Sequence, residues 1–125
     1  MRILAAFDGS PYSEAALQLA ARLAKSMRAH LTVLIVAEPG QPTRGLEERA
    51  KRIVESNGLQ AEVVVRRVPH TLQSPASTIV EEAERGGYNM IVLGAKGVSG
   101  REESNIGSTA LWVVVSSPVS VLVVR

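Results

Sequence analysis

The sequence predicts an α/β fold in which helices cover both faces of a parallel sheet. Short apolar runs alternate with segments of helical spacing along all 125 residues, giving the order β-α-β-α-β-α-β-α-β. The runs are continuously apolar rather than alternating in polarity, the habit of strands buried on both faces. Connections between them are short and carry Gly, Pro and Ser, so the strands are read as neighbours in one wound sheet.

The first run, Arg2-Ile3-Leu4-Ala5-Ala6-Phe7, ends in Asp8-Gly9-Ser10-Pro11. Ser10 suits a helix N-cap and Pro11 the first helical position. From there Ala16, Leu19, Ala20, Leu23, Ala24 and Met27 form an apolar stripe to about residue 28. Leu31-Thr32-Val33-Leu34-Ile35-Val36 is the second strand, and Glu38-Pro39-Gly40-Gln41-Pro42 reads as a loop. A helix over residues 44–57 follows, with Leu46, Ala50, Ile53 and Val54 on one face and Gly58 as its stop. The third strand spans residues 61–68 around Val63, Val64 and Val65, and residues 69–74 are irregular. Ser74-Pro75 repeats the cap-then-proline start of a helix that runs to residue 85, carries Ile79, Val80 and Ala83, and ends at Gly86-Gly87. Residues 89–93 are the fourth strand, and a glycine-rich loop then leads to a helix over residues 108–116. Ser117-Pro118 breaks that helix before the last strand, Val119-Ser120-Val121-Leu122-Val123-Val124. No repeat, low-complexity tract or linker divides the order, and residues 1–125 are read as a single domain.

Composition narrows the function classes. Hydrophobic residues are 46% and charged residues 21%, an ordinary globular balance. With no cysteine there is no disulfide framework, thiolate metal site or cysteine nucleophile. The net charge is only +2, basic residues are scattered, with Arg66-Arg67 among the adjacent pairs, and aromatic residues are 3%, so a stacking platform for nucleic acid is not expected. The chain opens directly on a strand, without a signal peptide's basic start, and no apolar run approaches the roughly 20 residues of a membrane span. A cytoplasmic location without membrane attachment is expected.

Chemistry is expected at the carboxyl ends of the strands, where open α/β sheets bind ligands. The loop from Gly94 to Thr109 runs from a strand end to a helix start, and its glycines and hydroxyl residues suit close approach to an anion. A plain mobile loop has the same composition. Asp8, the only aspartate, ends the first strand at the same edge. It serves either as a turn residue satisfying backbone N–H groups or as a carboxylate accepting from a ribose hydroxyl or holding a metal-bound phosphate. No Gly-x-x-x-x-Gly-Lys-Ser/Thr, no Gly-x-Gly-x-x-Gly after the first strand and no Gly-x-Ser-x-Gly occurs, against a P-loop, a dinucleotide fold and a hydrolase elbow. A phosphoacceptor receiver needs an acidic cluster that Asp8 alone cannot build. His30 and His70 stand 40 positions apart without acidic companions nearby and are read as surface or strand-edge residues, so no metal site is expected.

Gly94-x2-Gly97-x9-Gly107-Ser108, behind Phe7-Asp8-Gly9-Ser10 and before Ser117-Pro118-Val119, resembles the glycine signature of the universal stress protein family in its nucleotide-binding branch. The resemblance covers the whole chain, including Ser13, Ala16 and Leu17 of the first helix, the second strand, Pro75-Ala76 and residues 89–97. It implies a three-layer α/β/α fold with a five-stranded parallel sheet in the order 3-2-1-4-5, Rossmann-like and akin to the adenine nucleotide alpha hydrolases. It also implies an adenine-nucleotide site for ATP or AMP, with or without Mg2+, in a regulatory stress-response protein. Carried over by position, Ala6, Phe7 and Asp8 lie at the nucleoside, Val36 and Ala37 against the adenine, and Leu93 and Gly94 beside the nucleoside. Lys96, Gly97, Gly107, Ser108 and Thr109 face the phosphates, where a lysine charge, side-chain-free backbone and a helix amino terminus suit an anion.

The chain departs from the family in places. Arg101-Glu102-Glu103-Ser104-Asn105 is polar where relatives are fairly apolar, and two carboxylates beside phosphates repel unless they face solvent or a cation. Residues 38–45 form a shorter connection than in many relatives, which opens the adenine side, and Asn89 stands where an aspartate is usual. No residue is placed as base or water-positioner at a γ-phosphate, so no catalytic residue is assigned and at most slow ATP hydrolysis is expected. The last strand is apolar on both faces and the resemblance puts it at a sheet edge, so a homodimer through Val119 to Val124 is expected, with Trp112 either near that interface or in the core. The alternative is a dimeric interaction protein of the same fold that binds no nucleotide. A nucleotide-transfer enzyme finds no support, since neither His-x-Gly-His nor Ser-Gly-Gly-x-Asp-Ser occurs.

Overall fold

The structure, a computed structural model, describes residues 1–98 and 105–125. Its elements follow in the order β1 (Arg2–Ala6), α1 (Pro11–Met27), β2 (His30–Ala37), α2 (Arg44–Ser56), β3 (Glu62–Arg67), α3 (Pro75–Arg85), β4 (Met90–Gly94), α4 (Ser108–Ser116) and β5 (Ser120–Val124). The strands form one five-stranded parallel sheet in the order β3-β2-β1-β4-β5. Winding therefore moves outward from β1 to β3 and then restarts on the other side of β1. The ends of β1 and β4 part their connections in opposite directions, and a crevice is left between them.

Alternation along each strand sends its side chains to two cores. Ile3, Ala5, Val33, Ile35 and Val92 pack with Ala16, Leu17, Ala20 and Ala24 of α1 and with Ala50 and Val54 of α2. Leu4, Leu34, Ile91 and Leu93 pack on the other face with Ile79, Val80 and Ala83 of α3 and Ala110 and Val113 of α4. The buried alanines of α1 let that helix lie close to the sheet. Ile3, Leu4, Leu34 and Ile91 are wholly buried, each worth about 1.5–3 kcal/mol relative to exposure, so the central strands carry much of the hydrophobic stabilisation.

Both cap-then-proline starts form as the sequence predicts. Ser10 Oγ accepts from the Ser13 N–H at 3.1 Å and Ser74 Oγ from the Ser77 N–H at 3.1 Å, each satisfying one otherwise unpaired donor of the first turn. β2 is longer than its apolar run, reaching His30 and Ala37, because β1 and β3 both pair with it and extend the ladder at either end (Arg2↔His30, Ala37↔Arg67). Trp112 is 48% exposed, which overturns a core position for it. α4 is apolar almost all round but buries only Ala110 and Val113, leaving Leu111, Trp112, Val114 and Val115 exposed. Among the described residues, no helix is long and apolar enough to cross a membrane.

Thr32, 1% exposed on β2, holds the one buried side-chain oxygen without a hydrogen-bond partner among the described residues. Thr32→Val keeps the shape and removes an unpaired hydroxyl, so it is expected to stabilise by about 1 kcal/mol. Calorimetric melting should show that as a rise of about 4 °C, whereas a fall would mean the hydroxyl has a partner.

Candidate functional site

The crevice at the winding reversal is a cleft of about 310 Å³. β1 and the residues after it supply Ala6, Phe7 and Asp8, β2 supplies Leu34 and Val36, and β4 supplies Leu93 and Gly94. Lys96, Gly97 and Val98 follow β4, and Gly107, Ser108, Thr109 and Ala110 enter from the start of α4. Of the site residues expected from sequence, all but Ala37 line this one cleft. Ala37 is wholly buried, and the alternation that turns Val36 into the cleft turns Ala37 to the opposite face. Glu102 and Glu103, with Arg101 and Ser104, lie outside the described residues.

Asp8 is held by the turn it belongs to. Its Oδ1 accepts from the Ser10 N–H at 2.9 Å, and its own N–H lies 3.3 Å from Ser13 Oγ, which donates to the Ser10 carbonyl at 3.0 Å. The carboxylate is thus oriented, which fits the turn role and leaves Oδ2 toward the glycine loop. A Cβ built on Gly97 would lie 3.0 Å from that Oδ2, so the loop and the carboxylate are already at contact distance. α2 braces the turn from behind. Arg49 Nη2 donates to the Gly9 carbonyl at 3.2 Å and to Glu14 Oε1, while its guanidinium stands 5.9 Å from the centre of the Phe7 ring. Gly9 has φ +83° and passes so near Leu46 and Arg49 that a Cβ would sit 2.6 Å from Leu46 Cδ2.

The glycine loop is anchored at both described ends. The Ala95 N–H donates to the Val124 carbonyl at 2.7 Å, extending the β4–β5 ladder, and the Gly107 N–H donates to the Ala95 carbonyl at 2.6 Å. The loop therefore leaves and returns at one place. Gly107 is the N-cap of α4 and has no side chain with which to occupy the first-turn N–H groups. With Lys96 half-buried beside it, this helix start is electropositive and open to an anion.

Several lining residues were not assigned to the site from sequence: Ser13, Leu34, Gln41, Leu46, His70, Pro75 and Ile79. His70, read from sequence as lacking an acidic companion, has one: its N–H donates to Glu38 Oε1 at 2.9 Å, and its Nδ1 stands 3.2 Å from the same oxygen. The two are 32 positions apart, and only the pairing of β2 with β3 brings them together. A usable signal was nevertheless present, since Gln41 and His70 fall in the loops that follow β2 and β3 at the ligand edge.

A parallel α/β fold with a small-molecule-sized cleft at its winding reversal, bounded by a carboxylate, a glycine loop and a helix amino terminus, defines a class of wound α/β domains with a candidate ligand cleft at the strand ends. Within that class the chain belongs to the universal stress protein family, whose profile matches residues 1–125. It is 31% identical to universal stress protein YxiE of Bacillus subtilis, across 99% of this chain and 98% of that protein. Among solved structures it is similar to a universal stress protein in complex with cAMP (TM-score 0.80, 24% identity, 100% of this chain and 96% of that one). It is also similar to the Archaeoglobus fulgidus universal stress protein in complex with dAMP (TM-score 0.76, 20% identity, 100% and 98%). At those identities the structural likeness carries the fold.

Gly94 is where the site's frame passes closest to neighbouring backbone. A Cβ there would lie 2.7 Å from Tyr12 C and Cβ and 2.9 Å from Ser13 N, backbone that cannot step aside alone. Gly94→Ala is expected to cost about 1–3 kcal/mol, read as a lower urea midpoint at unchanged slope. An unchanged midpoint would mean that β4 and α1 are not in close contact.

Proposed function

We propose that this single-domain stress protein binds an adenine mononucleotide, ATP or AMP, in the cleft between the ends of β1 and β4, as a homodimer whose partner choice responds to the bound nucleotide. The observation that carries the reading is the convergence on one cleft of Asp8, the loop glycines and the bare amino terminus of α4. Gly97 and Gly107 both pass where a side chain would crowd Asp8 Oδ2 or the Ala95 carbonyl, so the cradle suits a ligand that comes close to backbone. Lys96, Ser108 and Thr109 supply a charge and donors for phosphate, and Asp8 supplies an acceptor for ribose hydroxyls. Mg2+ accompanying a triphosphate would have Asp8 as the carboxylate bordering the cleft among the described residues. Family neighbours solved with cAMP and dAMP support an adenine ligand. The chemistry this chain performs on it is binding and orientation, with hydrolysis slow or absent and the cytoplasm as the place of action.

The dimer reading rests on β5, which sits at the sheet edge with Val121, Leu122, Val123 and Val124 only partly covered. The exposed Leu111, Trp112, Val114 and Val115 of α4 add apolar surface on the chain segment just before it. Pairing of two such edges about a two-fold axis would shield both.

Titration calorimetry with ATP and AMP, with and without Mg2+, should show saturable binding, and absence of binding at millimolar nucleotide would overturn the reading. Nucleotide should raise the melting temperature of the native chain, and Gly97→Leu should abolish that rise while leaving a folded protein. A rise of the same size in the variant would place the ligand elsewhere. Sedimentation at micromolar concentration is expected to give a dimer, and a monomer would refute the edge pairing.

A further inference from the structure

Outside the glycine loop, the polar groups around the cleft concentrate where the loops after β2 and β3 meet. Arg67, the last residue of β3, donates through Nη1 to the carbonyls of Glu38 (3.2 Å) and Gln41 (2.7 Å) and through Nη2 to Thr43 Oγ1 (3.1 Å). Thr43 Oγ1 in turn donates to Glu47 Oε2 at 2.9 Å. The β2–α2 loop is thereby gathered onto one guanidinium, and Glu38 ties the β3–α3 loop to it through His70. Two lining side chains, Gln41 and His70, emerge from this stitched pair of loops.

Their hydrogen-bonding sense follows from their other partners. Gln41 Oε1 accepts from the Glu38 N–H at 2.9 Å, which fixes the amide and leaves Nε2, a donor, as its other end. His70 Nδ1 faces a carboxylate oxygen, which only accepts, so Nδ1 carries the hydrogen and Nε2 of the neutral ring is an acceptor. The residues that carry this donor and this acceptor both line the cleft, beside the apolar Leu34, Val36, Pro75 and Ile79. The anion-binding groups lie on the β4 side. Two strand spacings separate β2 from β4 across β1, about 10 Å, comparable to the distance from a nucleotide's base to its phosphate.

We propose that Gln41 and His70 determine base specificity in this cleft, selecting a 6-aminopurine over a 6-oxopurine, with Arg67 and Glu38 as positioning residues. The inference rests on the adenine-nucleotide reading above. Gln41 Nε2 donates to the acceptor N1 of the base, and His70 Nε2 accepts from the 6-amino group. A 6-oxopurine reverses both sites, presenting N1–H to the Gln41 donor and O6 to the His70 acceptor, and each pair then repels. Well-made paired base contacts discriminate by about 5- to 150-fold. The His70 side chain is 39% exposed, so water competes and the lower part of that range, about tenfold, is expected.

Calorimetry with AMP and IMP tests this on the native chain, Gln41→Glu and His70→Ala. The native chain should bind AMP about tenfold more tightly than IMP. Gln41→Glu keeps an oxygen for the Glu38 N–H but turns the donor into an acceptor. Its added charge repels the phosphate of both nucleotides alike, while its oxygens repel N1 of AMP and accept from N1–H of IMP, so the AMP:IMP ratio should fall to one or below. His70→Ala should lower the ratio severalfold, mainly by weakening AMP. Both residues sit in loops outside the cores, so melting temperatures without ligand should match the native value, which separates a changed contact from a changed fold. Equal native affinities, tighter IMP, or a ratio unchanged in both variants overturns the specificity assignment while AMP binding stands. If the native chain binds neither nucleotide, the adenine reading itself falls and takes this assignment with it.

Discussion

The close approach of β4 to the first turn of α1 governs most of what this molecule can do. It depends on residue 94 having no side chain, because a Cβ would press on the backbone of Tyr12 and Ser13. α1 starts at Ser10 and Pro11, directly after the Asp8 turn, so whatever holds β4 against α1 also holds the glycine loop against Asp8. The contact between Gly97 and Asp8 Oδ2 follows from it, as does the return of the loop at Gly107 to the Ala95 carbonyl. A site assembled from two strand ends becomes one rigid edge.

Around that edge the chain spends its polar side chains on orientation. Asp8 is turned by the Ser10 N–H, the Asp8–Gly9 turn is braced by Arg49, and the loops after β2 and β3 are joined by Arg67 and Glu38. Arg49 bonds one backbone carbonyl and Arg67 two, each with a side-chain oxygen besides, which pins the loop path itself. The planar guanidinium suits this work, because its several donors point in fixed directions and a lysine's single charged nitrogen does not reproduce them. Preorganisation of this kind lowers the ordering cost of any binding at that edge.

Much of the architecture was legible in the sequence. Continuous apolar runs such as residues 31–36 marked parallel strands, and the Ser10-Pro11 and Ser74-Pro75 pairs marked the starts of α1 and α3, because capping chemistry is local and survives any tertiary context. The glycine-rich loop and Asp8 were legible for a related reason, since strand-end residues in a wound sheet share one edge whatever the exact strand order. Less was visible at α4, whose nearly uniform apolarity hides which face is buried, and only its packing against α3 and β5 decided that Trp112 would be exposed.

By itself the sequence determined the element order, the parallel sheet, the helix caps and the family to which the chain belongs, all properties set by local pattern and short-range stereochemistry. Tertiary structure alone decided which distant residues complete the cleft. Ala37 was turned away and Val36 turned in by the pleat, while Gln41 and His70 were brought to the rim by the pairing of β2 with β3. Glu38 and His70 became partners across 32 positions for the same reason. Linear spacing encodes neighbours along one element, whereas contacts between loops are fixed only when the strands beneath them adopt their register.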